Sequence, residues 1–186
     1  SGTVYDLVGA LTVVPSFEAA ATDGEDYIEG GGGNDVIFGG LGQDDIVGGS
    51  SDSFSLTAKS MRPDGQDLIF GGAGTDIGRN DIGDATVDST GAIITTATGH
   101  AADADTIVGD NGEIIRIVGT KGTDVGPAAK YVTFNYDNYG SVKIVVRGVT
   151  LIDYTPGGPD FNPTLPETRG LGGDIFGADE VHGESG

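Results

Sequence analysis

The sequence predicts an all-β protein built from stacked short strands, and three observations carry that expectation. The first is a tandem nine-residue pattern, Gly30-Gly31-Gly32-Gly33-Asn34-Asp35-Val36-Ile37-Phe38 followed directly by Gly39-Gly40-Leu41-Gly42-Gln43-Asp44-Asp45-Ile46-Val47. The second is composition: 35 glycines with only 7% aromatic residues favour many tight turns over long packed elements. The third is alternation of apolar residues in the C-terminal half, at Tyr131–Tyr136 and Val142–Arg147, which is the period of a half-buried strand.

Residues 1–20 hold Val4–Val8 and Leu11–Val14, stopped by Pro15, and read as leading strands. Residues 21–79 carry the repeats, of the form G-G-x-G-x-D-x-U-x with U a large aliphatic. The glycines permit dihedrals that a Cβ forbids and turn carbonyl oxygens inward. The Asp adds a hard anionic oxygen, so successive turns can make the all-oxygen cage that Ca²⁺ prefers. The x-U-x half is a short strand with one inward apolar side chain. A first copy, Thr22–Glu29, lacks the leading glycines, and a fourth, Gly48–Phe54, has Ser53 where Asp is expected. Residues 57–62 break the register and read as a bulge near 50–62; the pattern resumes at Pro63–Phe70 and Gly71–Ile77.

Beyond it, 80–112 reads as an irregular segment, loop over 79–102, ending in a degenerate repeat around Asp105. Residues 113–154 read as an antiparallel β insert, with a hairpin whose turn is Asp137–Gly140. Residues 155–186 are a Pro-rich connector and a partial terminal repeat with Asp179 and Val181 in the Asp and aliphatic places. Gly183–Gly186 reads as the opening of another turn, so a fragment of a longer chain is expected.

The paired copies resemble the RTX (repeats-in-toxin) calcium-binding nonapeptide family. The resemblance implies a parallel β-roll, two repeats per coil, with several Ca²⁺ ions held between turns on the same edge. It also implies that each site takes sixth-position carboxylates from turns one coil apart, plus backbone carbonyls. By that rule Asp26 pairs with Asp44, and Asp35 serves the opposite edge. Carbonyl donors would be Thr22 and Gly24 with Gly39 and Leu41, and Gly31 and Gly33 with Gly48 and Ser50. Asp67 would stack over Asp44 through Gly40, Gly42, Arg62 and Asp64, and Asp76 toward the fourth repeat. By the same resemblance Asp105 and Asp179 would be ligands of sites completed by neighbouring repeats. The competing reading, that these Asp residues only form turns, does not account for a strict nine-residue period.

The formal charge is −20, from 29 acidic against 9 basic residues. Such a chain repels nucleic acid and anionic membranes. There is no Cys, hence no disulfide or thiolate metal site, and no apolar run near membrane-spanning length. His100 and His182 are isolated and read as surface residues rather than zinc ligands. No nucleophile elbow, dinucleotide loop or Walker lysine motif occurs, so no enzymatic activity is expected. Tyr131, Phe134, Tyr136, Tyr139 and Tyr154 fit a half-buried sheet more simply than a ligand groove.

The resulting expectation is a calcium-binding structural module that folds on Ca²⁺ binding outside the cell. It would be part of a large secreted or cell-surface bacterial protein, adhesin or matrix-like, with Ca²⁺ and neighbouring repeats as partners and no membrane insertion. Two alternatives differ in class. One is a non-catalytic folding and secretion domain of an extracellular hydrolase; the other is a fibre subunit that stacks copies of itself end to end.

Overall fold

The computed structural model describes residues 2–5, 11–14, 23–74, 86–87, 89–90, 93–94, 104–119, 130–133, 144–154 and 175–183. Its elements are strands, with no α-helix among the described residues. Strands β1 (Gly2–Tyr5) and β2 (Leu11–Val14) form an antiparallel pair. Then come three strands at nine-residue spacing, β3 (Tyr27–Glu29), β4 (Val36–Phe38) and β5 (Asp45–Val47). A single 3-10 turn at Lys59–Met61 precedes β6 (Leu68–Phe70).

Thr86–Val87 (β7) and Ile93–Ile94 (β8) pair antiparallel, where the sequence had suggested loop; both are β-branched pairs, which favour extended backbone. The remaining strands are β9 (Thr106–Val108), β10 (Gly112–Arg116), β11 (Val118–Gly119), β12 (Lys130–Tyr131), β13 (Arg147–Leu151) and β14 (Glu180–His182).

Six of these strands build a parallel β-roll of two three-stranded sheets. One sheet has the order β3-β5-β9 and the other β14-β6-β4. Registers align the aliphatic positions, Ile28 with Ile46 and Ile107, and Ile37 with Ile69 and Val181. Because side chains alternate along a strand, one residue in three points inward. Ile37, Ile46 and Ile69 therefore form the core, flanked by Ile28 and Ile107. It is a single layer of aliphatic side chains, so apolar burial alone cannot hold so glycine-rich a chain.

The pairing departs from a simple count of repeats. After β5 the next strand of the second sheet is β6, not the segment around Phe54, which is exposed. Gly48-Gly49 supply the first half of one turn, and Asp64-Gly65-Gln66-Asp67 supply the second, with residues 50–63 as an excursion between them. One nonapeptide is split, rather than two being present. The same split recurs twice. Gly71 meets Asp105 ahead of β9, and Gly109-Asp110 meets Gly177 and Asp179 ahead of β14.

The antiparallel pair β10–β13 lies inside the last split and rests on the outer face of the first sheet. Ile114 packs on Val47 and Val108 there. Beside that contact the Asp45 carboxylate accepts from Arg116 Nε at 2.7 Å and Arg147 Nε at 2.8 Å, all three side chains being largely buried. Arg147 also donates to Gln43 Oε1 and the Gln43 carbonyl, at 3.0 and 2.8 Å. On the opposite sheet the outward ninth positions stack as a ladder: Phe38 on Phe70 and Phe70 on His182, each at 4.8 Å between centroids.

Candidate metal centre

Each turn is shaped by glycine at its second and fourth positions. Gly31, Gly33, Gly40 and Gly42 have φ of 91°, 122°, 106° and 130°, conformations in which a Cβ is strained. Turns then stack coil on coil. Gly31 N–H donates to the Gly49 carbonyl at 2.9 Å, and a Cβ on Gly65 would overlap the Gly33 carbonyl oxygen.

The sixth-position Asp residues fall into two columns, one on each edge of the roll. On one edge Asp26 N–H donates to Asp44 Oδ1 at 2.7 Å, and Asp44 N–H to Asp105 Oδ1 at 2.8 Å. On the other, Asp35 N–H donates to Asp67 Oδ1 at 2.8 Å, and Asp67 N–H to Asp179 Oδ1 at 3.0 Å. One oxygen of Asp44, Asp67, Asp105 and Asp179 thus ties its coil to the previous one. The second oxygen turns toward the first glycine of its own turn: Asp44 Oδ2 and Asp67 Oδ2 lie 2.5 and 2.7 Å from where a Cβ on Gly39 or Gly48 would sit. The Gly71 and Gly109 carbonyl oxygens, from the next coil, crowd the same two places. Carboxylate and carbonyl oxygens therefore converge on a space that any side chain in the first position would fill.

These oxygens are buried at a cost. Oδ2 of Asp35 and of Asp67 are out of solvent and accept no hydrogen bond. Desolvation raises the Asp35 carboxyl above its usual range. It pushes Asp67 up to about 6, with the carboxylates of Asp179, Asp35 and Asp110 adding to the rise. Asp64, also buried, is pushed up to about 8, first by desolvation and then by Asp110 and Asp67. Buried anionic oxygens without donors are what a hard cation satisfies. Among the described residues no three acidic or imidazole side chains close on one point, so carbonyls would have to complete each shell. All the converging donors are oxygen, which fits Ca²⁺ in a flexible shell.

A family model for the RTX calcium-binding nonapeptide repeat, in four copies, matches residues 21–54. Residues 21–54 are RTX repeats. RTX repeats bind Ca²⁺ and are typical of secreted proteins, so this stretch is a calcium-binding segment of the RTX type. No curated protein and no solved structure matches the chain. No helix among the described residues is long and apolar enough to cross a membrane.

The structure brings Asp26, Asp44 and Asp105 into one column and Asp35, Asp67 and Asp179 into the other. Thr22 and Asp76 lie outside the described residues. The expected stacking of Asp67 over Asp44 is not found: Asp67 stacks on Asp35, and Asp105 takes the place beside Asp44. The physical reason is the split turn, which makes Gly48–Asp67 one half-coil instead of two. For the same reason Arg62 and Asp64 do not join Gly40 and Gly42, which lie on the other edge, where Gly24 and Asp23 pack against them. Gly33 meets Gly65 rather than Ser50.

Arg62 has a different role from carbonyl donor to that cage. Its carbonyl accepts from Asn111 Nδ2 at 3.0 Å, and its guanidinium grips Asp153 through Nε and Nη2 at 2.6 and 2.8 Å. The side chains of Asp64 and Asp110, and the Asp45–Arg116–Arg147 cluster, were missed from sequence. The signal for the first was present: Gly48-Gly49 and Asp64-Gly65-Gln66-Asp67 are complementary halves of one motif.

Proposed function

We propose that the protein is a calcium-switched structural module of a secreted or cell-surface RTX-type protein, adhesin or matrix-like, with a mechanical rather than catalytic role. The observation that carries this reading is the pair of carboxylate columns, whose inward oxygens are buried beside carbonyls of the next coil. Ions between Asp26 and Asp44, Asp44 and Asp105, Asp35 and Asp67, and Asp67 and Asp179 would neutralise charge that the thin isoleucine core cannot offset. Binding free energy then becomes folding free energy. Where Ca²⁺ is scarce, as in cytosol, repulsion within a chain of charge −20 favours the open state; in the millimolar Ca²⁺ outside cells the roll closes.

A Ca²⁺ titration followed by circular dichroism, with EDTA reversal, tests this. The β signal should grow with Ca²⁺ and collapse on chelation. A spectrum indifferent to both would overturn the proposal.

A further inference from the structure

The roll has two ends, and among the described residues neither is covered. Its sheets run β3-β5-β9 and β4-β6-β14, so β3 and β4 bound one end and β9 and β14 the other, each with a strand neighbour on one side only. The glycines mark the same limits atom by atom. Inside the roll a Cβ on a first-position glycine would meet a carbonyl of the coil that follows: Gly30 that of Gly48, Gly39 that of Gly71, Gly48 that of Gly109. A Cβ on a fourth-position glycine would meet the coil before, Gly42 the carbonyl of Gly24 and Gly65 that of Gly33. At the ends this stops. A Cβ on Gly183, or on Gly24 or Gly33 at the opposite end, meets nothing within 4 Å.

Both ends carry apolar surface. Val181 stands in register with the core residues Ile69 and Ile37 yet is 47% exposed. Val149 lies opposite Ile114, which is buried against the roll, yet is 48% exposed, so β13 projects past β9. Under it a hollow of about 430 Å³ opens between Val149, Arg147 and the edge of β9 at Thr106 and Ile107. At the other end Tyr27 of β3 is 41% exposed. A strand edge beside apolar surface is a template for one more strand.

The split turns say which strand. The Gly183 carbonyl lies 3.1 Å from a Cβ on Gly71, as the Gly71 carbonyl borders Gly39, so Gly183 is the first position of a further turn in that file. The turn before β3 is its converse. Asp23-Gly24-Glu25-Asp26 are third to sixth positions, but Ala21 and Thr22 stand where the paired glycines belong. One end therefore offers an opening half-turn and the other a closing half-turn, the same two pieces that Gly48-Gly49 and Asp64–Asp67 join within the chain.

We propose that copies of this chain associate head to tail, β9 and β14 of one copy pairing in parallel with β3 and β4 of the next, and Gly183 opening the turn that Asp23–Asp26 of the next copy close. The alternation of sheets is preserved, since β14 belongs to one sheet and β3 to the other. Continuing the observed registers sets Ile107 beside Ile28, Val181 beside Ile37 and Thr106 beside Tyr27, whose ring then enters the hollow under Val149. His182 comes to lie beside Phe38 of the next copy and prolongs the aromatic ladder. The two surfaces in contact are different, so the association repeats as an open filament and does not close on a dimer. It needs a folded roll and therefore rests on the calcium-dependent reading above.

Sedimentation velocity across a concentration series in millimolar CaCl₂, with circular dichroism on the same samples, tests this for the wild type, Gly183→Val and Val181→Lys. Both changes face open space or solvent in a single copy, so each variant should keep the β signal. The wild type should grow in size with concentration without stopping at a dimer. Each variant should associate more than about tenfold more weakly, because the junction would bury a clashing Cβ or an unpaired charge. A Val181→Lys copy keeps its β3–β4 end, so a minor fraction of it added to wild type should cap and shorten the assemblies. If the wild type shows no Ca²⁺-dependent β signal, the calcium reading fails and this proposal with it. If that signal is present but the wild type stays monomeric, stops at a dimer, or assembles equally well with both substitutions, only the head-to-tail contact is overturned.

Discussion

Replacing Asp45 with asparagine separates the anchoring of the insert from ion binding, because Asp45 points outward from the roll while Asp44 beside it points into the turn. The Asp45 carboxylate receives Arg116 Nε at 2.7 Å and Arg147 Nε at 2.8 Å, with side-chain exposures of 6%, 14% and 3%. A hydrogen bond to a charged partner contributes about 1.5–3 kcal/mol. Asparagine keeps one acceptor oxygen and loses the charge, so one bond is lost and the other weakened. Arg116 retains Glu25, which is half-exposed. Arg147 retains neutral acceptors, the Gln43 and Val145 carbonyls and Gln43 Oε1.

The dominant cost is therefore one buried guanidinium left without a counter-charge, about 3–5 kcal/mol. Urea unfolding in saturating Ca²⁺ measures it, by far-ultraviolet circular dichroism since the chain has no Trp. Adding Arg147→Met to Asp45→Asn should recover part of the loss, because the uncompensated charge goes with it. A loss below about 1 kcal/mol for Asp45→Asn would show that the cluster is solvated and adds little to the anchoring of the insert.

Asp44→Asn should lower the number of bound Ca²⁺ ions and raise the Ca²⁺ midpoint of folding about tenfold, since Asp44 sits between Asp26 and Asp105 in its column; calorimetry with an unchanged count would contradict it. In EDTA, where the roll is largely open, the β signal that remains should be larger at pH 5 than at pH 8. Asp67 and Asp64 have folded values raised to about 6 and about 8, so stability fully present below the unfolded value near 4 is lost as pH rises through those values. With saturating Ca²⁺ the order should reverse, because protons then compete with the ion; circular dichroism in EDTA and thermal midpoints in Ca²⁺, each at the two pH values, check both signs. Gly65→Ala should cost about 3 kcal/mol, because its Cβ would overlap the Gly33 carbonyl, which belongs to stacked backbone. Gly31→Ala, with open space but φ of 91°, should cost about 1–2 kcal/mol; equal losses in urea unfolding would undo the stacking argument.

The local grammar of the roll was legible because it is written in adjacent residues: glycines where φ is positive, an Asp at the sixth place, an isoleucine at the eighth. Ile28, Ile37, Ile46 and Ile69 could be placed inward from spacing alone. What spacing could not supply was the parity of the coil after Val47. A count along the chain treats Gly48–Phe54 and Pro63–Phe70 as two half-coils, whereas backbone pairing of β4 with β6 makes them one. The Asp67 partner was misassigned for that reason. The Asp45–Arg116–Arg147 cluster was illegible for a related one: its members lie far apart in sequence, and only the docking of β10–β13 joins them.

The excursions that interrupt the turns lengthen along the chain, from none before β5, to 50–63, to the stretch between Gly74 and Ala104, to the stretch between Asn111 and Ile175. The entropy lost in closing a loop grows with the logarithm of its length. Residues 23–47, whose strands follow one another directly, are therefore the least expensive place to nucleate, and β6, β9 and β14 add in order of rising closure cost. Folding should run in one direction along the roll axis, each completed coil presenting an edge for the next. Refolding rates would then respond to changes around Asp26, Asp35 and Asp44, while unfolding rates would respond to changes around Asp105 and Asp179.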